Sequence, residues 1–446
     1  MIKHPLWFLS VAIFWLVAVP AYSEGPQLQP ALTLDNCFEL AAKGNYDLRR
    51  AKEQIERAHG VTMQLRAGLI PHIVASADVS QIDNSRLESF NGQSFGSEKS
   101  WNADLQVEQN VFAGGGIWAG FQGKRFEERA AKNEMEMVLR DVGYGIVERF
   151  YGVLLARAQE KVNQELVSLL DEELVSEKRK RDVGSVSDFN VLRAEVELAN
   201  SKAPLIRAQN NSRISIDELR RVLGLGAASH ETLDVAGELV FQDFDLVLEQ
   251  ALERAKSNRP ELQRLKNLVE AARYGVRISQ AGYLPAISVY AGYGAQKSMF
   301  SNDFSDHLDG WAMGARANWS IFDGLAREGK VAEANSNLRN AKLTLEQAEL
   351  DVAIDVRKAL SSLHEAKELV KASHKVVEQG REGLRLARAR FDVGAGTQLD
   401  VLDTQVALTQ ARTNEVQALH DYIIARARVE RAVGDSPSGF GSVSVQ

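Results

Sequence analysis

The chain is poor in the residues that fasten a small secreted domain. Its single cysteine, Cys37, excludes a disulfide within the chain, so an oxidising compartment is tolerated but not used. Cys37 lies neither just behind the N-terminal apolar segment nor in a lipobox, which argues against lipid anchoring. Proline is scarce, 9 residues in 446. Two long stretches, about 116–181 and 325–391, have none, so nothing there breaks a helix. Beyond the N-terminal segment no apolar run reaches the ~20 residues of a membrane helix, which excludes a helical inner-membrane protein. Positive charge is not in excess: 53 Lys and Arg against 60 Asp and Glu leave −7, a balance that argues against nucleic acid. The 8 histidines lack metal-ligand spacing, and no catalytic Ser/His/Asp or paired-carboxylate set stands out. Gly114-Gly115-Gly116 lacks the Gly-Lys-Ser/Thr of a phosphate loop and reads as a release from strand to helix. No enzyme, metal or cofactor is indicated.

What is present begins with a secretory signal peptide, residues 1–23. Lys3 and His4 form its polar start, Leu6 to Val19 its apolar core, and Ala21-Tyr22-Ser23 its small-x-small cleavage site.

Behind it the chain repeats itself. Ile70-Pro71 matches Leu284-Pro285 at an offset of 214 (285 − 71). Trp101 matches Trp311, and Asp182-Val183-Gly184 matches Asp392-Val393-Gly394, both at 210 (311 − 101). A duplication this long implies one structural unit used twice. The first repeat is assigned to 24–223 and the second to 242–434. A connector at 224–241 joins them, and a polar tail covers 435–446. Each repeat opens with a helical pattern, 35–68 or 245–282, that ends near Pro71 or Pro285.

A strand pair follows, about 71–112 and 285–322. Odd positions from Trp101 to Val111 are mostly apolar and even positions polar, and the stretch from Trp311 to Ile321 repeats the pattern. Strands of about ten residues suffice to cross a bilayer when tilted. Trp101, Trp311 and Trp319, with Phe112 and Phe322 at strand ends, are placed like an interfacial aromatic girdle. Ser-, Asn- and Gly-rich loops join the strands. Each long proline-free helix then turns into a return helix, about 187–222 or 397–433. In the second copy one apolar row (Val352, Val356, Ala359, Leu363) steps by 3 and 4, as in a coiled coil. Another row contains Leu343, Leu350, Ile354, Leu360 and Leu369. Two rows imply neighbours on both sides, as in a cylinder of helices.

The turn Ala389 to Asp403 holds the sharpest candidates. Gly394 and Gly396 suit the positive φ of a helix end, and Thr397 with Asp400 resembles a capping box. Asp400 and Asp403, three apart, share one helix face.

Four strands per chain would leave two open edges in lipid, where each unpaired backbone group costs several kcal/mol. Closure therefore calls for several chains, and three would supply twelve strands. This arrangement resembles the TolC-like family of outer-membrane efflux proteins. The likeness is carried by the duplication, the proline junctions, Phe322-Asp323-Gly324 and the Phe391 to Asp403 turn, and it covers almost the whole mature chain. The resemblance implies a mixed α and β fold. Three chains would form a 12-stranded transmembrane β-barrel, continued by a periplasmic α-helical coiled-coil barrel. It also implies an exit duct in the outer membrane that passes drugs or polypeptides. Its partners would be a periplasmic adaptor (membrane fusion protein), an inner-membrane transporter and outer-membrane lipid. In that family, aspartates matching Asp400 and Asp403 line the constricted periplasmic entrance. In a trimer their crowding would attract cations and raise the carboxyls' own pKa. Phe391, Gly396 and Asn190 stand where the family's entrance lock has a tyrosine, an arginine and an aspartate. Arg390 and Arg193 are local candidates to hold the closed state instead. The competing reading is a cell-surface adhesive coiled-coil protein, which leaves the doubled amphipathic strands unexplained.

Overall fold

The computed structural model describes residues 32–83, 85, 87–90, 93–95, 98–226, 233–298 and 303–436. The expected signal peptide, part of the connector and most of the polar tail lie outside the described residues.

The helical stretch expected over 35–68 is two helices, α1 (Leu34–Gly44) and α2 (Tyr46–Ala67). Asn45 interrupts it in an extended conformation. Its Oδ1 accepts from the N–H groups of Asp47 (2.8 Å) and Leu48 (3.1 Å), an N-cap that satisfies two orphan donors. Its Nδ2 donates to the Val222 carbonyl at 2.7 Å.

Helices α3 (Gly116–Asp182) and α4 (Asp188–Leu223) complete the helical part of the first repeat. The second repeat breaks at the matching place, between α5 (Leu248–Asn258) and α6 (Pro260–Ala281). There the proline sits at the first helical position and holds Arg259 out of the helix. Arg259 donates through Nε to the Ala432 carbonyl at 2.7 Å. Each break therefore fastens to the end of its own return helix.

The strands are β1 (His72–Gln81), β2 (Glu88–Phe90), β3 (Gln93–Phe95), β4 (Lys99–Ala113), β5 (Ala286–Lys297) and β6 (His307–Asn318). The short β2–β3 hairpin lies in a stretch expected to be loop. The main sheet has the order β1-β4-β5-β6, antiparallel throughout, so β4 and β5 join the two repeats. Strand β6 stops at Asn318, short of the expected Ile321 and Phe322. The cause is Arg327, which donates to the carbonyls of Ile321 (3.0 Å) and Gly282 (3.1 Å) and to Asp323 (2.9 Å), bending the chain into the next helix.

That helix is α7 (Ala326–Asp392), and α8 (Gln398–Val433) returns from it. Both α3 and α7 have 67 residues, so each is ~100 Å long. Their length is stabilised by neighbours rather than by propensity. Helix α3 packs mainly on α2, α4, α6 and α8, whereas α7 packs mainly on α5, α6 and α8. Two apolar cores sit where the short helices meet the long ones. The first gathers Phe38, Ile146, Phe150 and Leu219; the second gathers Ala251, Leu262, Val356 and Tyr422. The first apolar row read in α7 enters this second core. The other row stays largely exposed, with Leu350 at 67 %. No helix among the described residues is long and apolar enough to cross a membrane.

Candidate functional site at the hairpin tips and the strand wall

Two features can act on a solute: the turns at the far end of the long helices and the sheet at the other end. The two turns are built alike. Gly184 and Gly394 both adopt φ of +73°, and Ser185 and Ala395 donate back to the carbonyls of Lys180 and Arg390, each at 2.8 Å. This six-to-one bond with a left-handed glycine is a Schellman end. Gly396, by contrast, does not take a positive φ. A Cβ there would lie 3.2 Å from both Arg390 Cβ and Phe391 N, a tight contact to which the turn would have to yield by a few tenths of an ångström.

The capping box at the start of α8 is complete. Thr397 Oγ1 accepts from the Asp400 N–H at 3.2 Å, and Asp400 Oδ2 accepts from the Thr397 N–H at 2.9 Å. These bonds hold the Asp400 carboxyl below its ordinary value of 3.8. Within one chain the shift is thus opposite to the one expected from crowding in a trimer. Asp403 is exposed, and among the described residues it has no ion pair. Asn190 occupies the matching place in the first repeat (400 − 210), where Ser187 Oγ donates to its Oδ1 at 3.4 Å. Arg193 stands where the second repeat has Asp403.

Arg390 spends its guanidinium on its own turn, donating to the Ala395 carbonyl at 3.2 Å. Phe391 is half-buried, and Lys180 Nζ lies 5.1 Å from its ring centre. Lys180 also donates to Glu177 at 2.8 Å. The contact between α3 and the second hairpin is therefore a polar seam that sequence reasoning missed. Glu177, Gln398 and Gln405 are all buried, and Glu177 Oε2 and the Gln405 amide find no hydrogen-bond partner among the described residues. Beside them Glu173 is raised above its ordinary 4.5, chiefly by burial and next by Glu177. The available signal was Glu177 continuing the apolar series Leu166, Leu170, Leu174 at helical spacing.

At the sheet, register divides the side chains into two faces. One face carries rows such as Ala75–Leu105–Tyr293–Trp311 and Ile73–Val107–Ala291–Met313. The other carries Ser76–Asp104–Gly294–Gly310 and His72–Glu108–Tyr290–Gly314. Among the described residues nothing covers the apolar face: Ile73 is 70 % exposed and Met313 71 %. The outer edges of β1 and β6 have no strand partner among the described residues.

Pro71 and Pro285 each precede a strand directly, just after a helix end, and cannot donate to the ladder there. Trp101 lies at the loop end of β4, its Nε1 donating to the Phe304 carbonyl at 3.0 Å. Phe112 faces Ile287 near the helical end. Trp319 donates to the Tyr283 carbonyl at 3.2 Å, and Phe322 is exposed just beyond it. Trp311 lies opposite Tyr293, and the next residues on its face toward the loop are Asp309 and His307.

Among known proteins, the family described as "Outer membrane efflux protein" matches residues 38–225 and 251–435. The alkaline protease secretion protein AprF of Pseudomonas aeruginosa is 23 % identical over 420 residues, covering 91 % of this chain and 85 % of its own length. The outer membrane protein TolC of Escherichia coli is 22 % identical over 426 residues, covering 91 % and 83 %. Among solved structures, the Campylobacter jejuni CmeC outer membrane channel superposes with a TM-score of 0.81 at 17 % identity, covering 92 % of this chain and 87 % of its own. The open-state Neisseria gonorrhoeae MtrE outer membrane channel gives 0.76 at 18 %, covering 91 % and 89 %.

Proposed function

This chain belongs to the outer membrane efflux protein family, and on that premise we propose that three copies of it form an exit duct through the periplasm and outer membrane. It is a conduit and not an enzyme. The sheet is the observation that carries the reading. Four strands with one uncovered apolar face suit lipid, and two open edges demand further strands. Because β1 and β6 run in opposite directions, β6 of one copy meets β1 of the next as an antiparallel pair, and the ring closes. The polar face, with Asp78, Asp104, Glu108 and Arg316, then lines the lumen.

In this reading the helices continue the tube into the periplasm, and the tips of both hairpins form its entrance. Asp400 and Asp403 give each chain two carboxylates there, while Phe391, Gly396 and Asn190 supply no charge. The buried seam of Glu177, Gln398 and Gln405 holds the second hairpin against α3. Its unpartnered polar atoms, each costing about 1–3 kcal/mol, make it an interface that opening relieves. A periplasmic adaptor engages the helices, and an inner-membrane transporter supplies the energy. The relatives' names include protease secretion and efflux, and in this reading the transporter sets the cargo.

The test is reconstitution of the mature protein into planar bilayers, with its mass measured in mild detergent. Trimer mass, migration that changes on heating, and discrete conductance steps are expected. A monomer without conductance would sink the reading.

A further inference from the structure

We propose that Asp351 on α7 pairs with Arg221 of the partner subunit across the contact between copies, at the place where the seam inside the chain has Asp141 and Arg431. The proposal rests on the three-copy reading above and specifies the surface that assembles it.

Inside the chain, α3 is clasped by α6 and α8 of the second repeat. Asn267 donates to Asn133 at 2.8 Å, Arg140 to the Asn258 carbonyl at 2.8 Å, and Gln159 to Gln417 at 3.3 Å. Arg431 donates to Asp141 at 2.7 Å and lies 5.3 Å from the centre of the Tyr144 ring. Moving the α3 positions by the repeat offset of 210 takes Asn133, Arg140, Tyr144 and Gln159 to Leu343, Leu350, Ile354 and Leu369. All four are exposed, at 60, 67, 46 and 51 %. The face that α3 covers is thus present on α7, turned apolar and left bare.

The opposite side of the chain bares the complement. Leu402 and Ile424 of α8 are buried against the first repeat, at 5 and 6 %. Their counterparts on α4, Leu192 and Ile214 (402 − 210 and 424 − 210), are exposed at 59 and 48 %. Each bare face therefore carries apolar residues at the positions that the internal seam buries. A second copy is the occupant whose surface is already written in this chain.

Charge singles out one pair. Three ion pairs cross the internal seam among the described residues: Arg264–Glu134, Arg412–Glu165 and Arg431–Asp141. Translated by the repeat offsets they become Arg50 with Thr344, Lys202 with Lys375, and Arg221 with Asp351. Only the last keeps opposite signs. Arg221 and Asp351 are exposed, and neither has an ion pair among the described residues. A head-to-tail contact of this kind closes into a ring when its rotation permits.

The experiment uses the full-length protein in outer-membrane extracts. Cys37 does not interfere, because burial pushes its thiol up to about 12. The double variant Asp351→Cys, Arg221→Cys, treated with a short bismaleimide, is expected to give covalent dimers and trimers on a denaturing gel. Either substitution alone gives monomers. Mixing the two single variants gives dimers but no trimers, since no mixed ring then links all three chains. In parallel, Asp351→Arg lowers the temperature at which the native assembly dissociates, and adding Arg221→Asp restores it. An assembly of trimer mass that neither cross-links nor responds to the charge exchange would overturn the inference and leave the duct intact. A monomeric mass would fail the three-copy reading itself.

Discussion

The two repeats share a backbone and differ in chemistry where the chain ends its long helices. Their Schellman turns coincide in φ and in hydrogen bonding, at Gly184 and Gly394. The next helix then opens with Ser187, Asn190 and Arg193 in one copy, and with Thr397, Asp400 and Asp403 in the other. Duplication preserved the bend, and at these matched positions only the second copy carries acids, the first having Asp188 in its opening turn instead. In the proposed tube, the pair Asp400 and Asp403 alternates with the pair Asn190 and Arg193. The strand-to-helix junctions differ as well: Gly115 has φ of +78°, while its counterpart Leu325 has +69° with a full side chain.

The contrast between the tips can be broken directly, and this is the largest effect expected. Giving the second repeat the side chains of the first, by Asp400→Asn with Asp403→Arg, should weaken block by multivalent cations from the periplasmic side roughly tenfold or more in single-channel recordings. Unchanged block would show that the pair faces away from the lumen. The next largest effect concerns the seam. Lys180→Met strands the buried charge of Glu177 and should cost ~2 kcal/mol in thermal unfolding, discounted because the lysine is partly exposed. Its counterpart Arg390→Met removes one bond within a turn and should cost about 0.5–1.5 kcal/mol. Equal losses would mean that the seam is no stronger than an ordinary surface contact.

The junctions offer a smaller test. Leu325→Gly should stabilise by ~1 kcal/mol, since a side chain in the left-handed region is strained, and Gly115→Leu should destabilise by a similar amount.

The smallest effect is in pH. Glu173, whose counterpart in the second repeat is Gly383, is raised by burial and by Glu177, with Lys180, Arg388 and Gln398 opposing. Its contribution is therefore full below the ordinary value of 4.5 and is lost as pH rises through the raised one. Asp400, held low, contributes above 3.8, and its share is lost as pH falls through its lowered value. Thermal stability from pH 3 to 7 should lose the first dependence in Glu173→Gln and the second in Asp400→Asn.

Much of the scaffold was legible because its signals are local and repeated. The proline-free stretches and the Asp-Val-Gly turns located α3 and α7 to within a few residues. Alternation from Trp101 to Val111 placed the apolar face that the register then aligned across four strands. The breaks in the opening helices were less visible. Asn45 looks like any polar residue on a helical face, and its role depends on the distant carbonyl of Val222. Strand β6 read too long because alternation continues through Trp319 and Ile321, while Arg327 captures the backbone there. The seam was the least legible. Glutamate and glutamine on a helix read as solvated until another helix, more than 200 residues away in sequence, is laid across them.

The pairing of β4 with β5, and of α3 with α6 and α8, has a consequence for the speed of assembly. In a ring of six repeats, duplication makes half of the seams unimolecular. Tethered surfaces meet at an effective concentration in the millimolar range, far above that of a newly secreted chain. Each copy thus reaches its neighbours with half the wall already joined, and only the remaining seams depend on encounter between molecules.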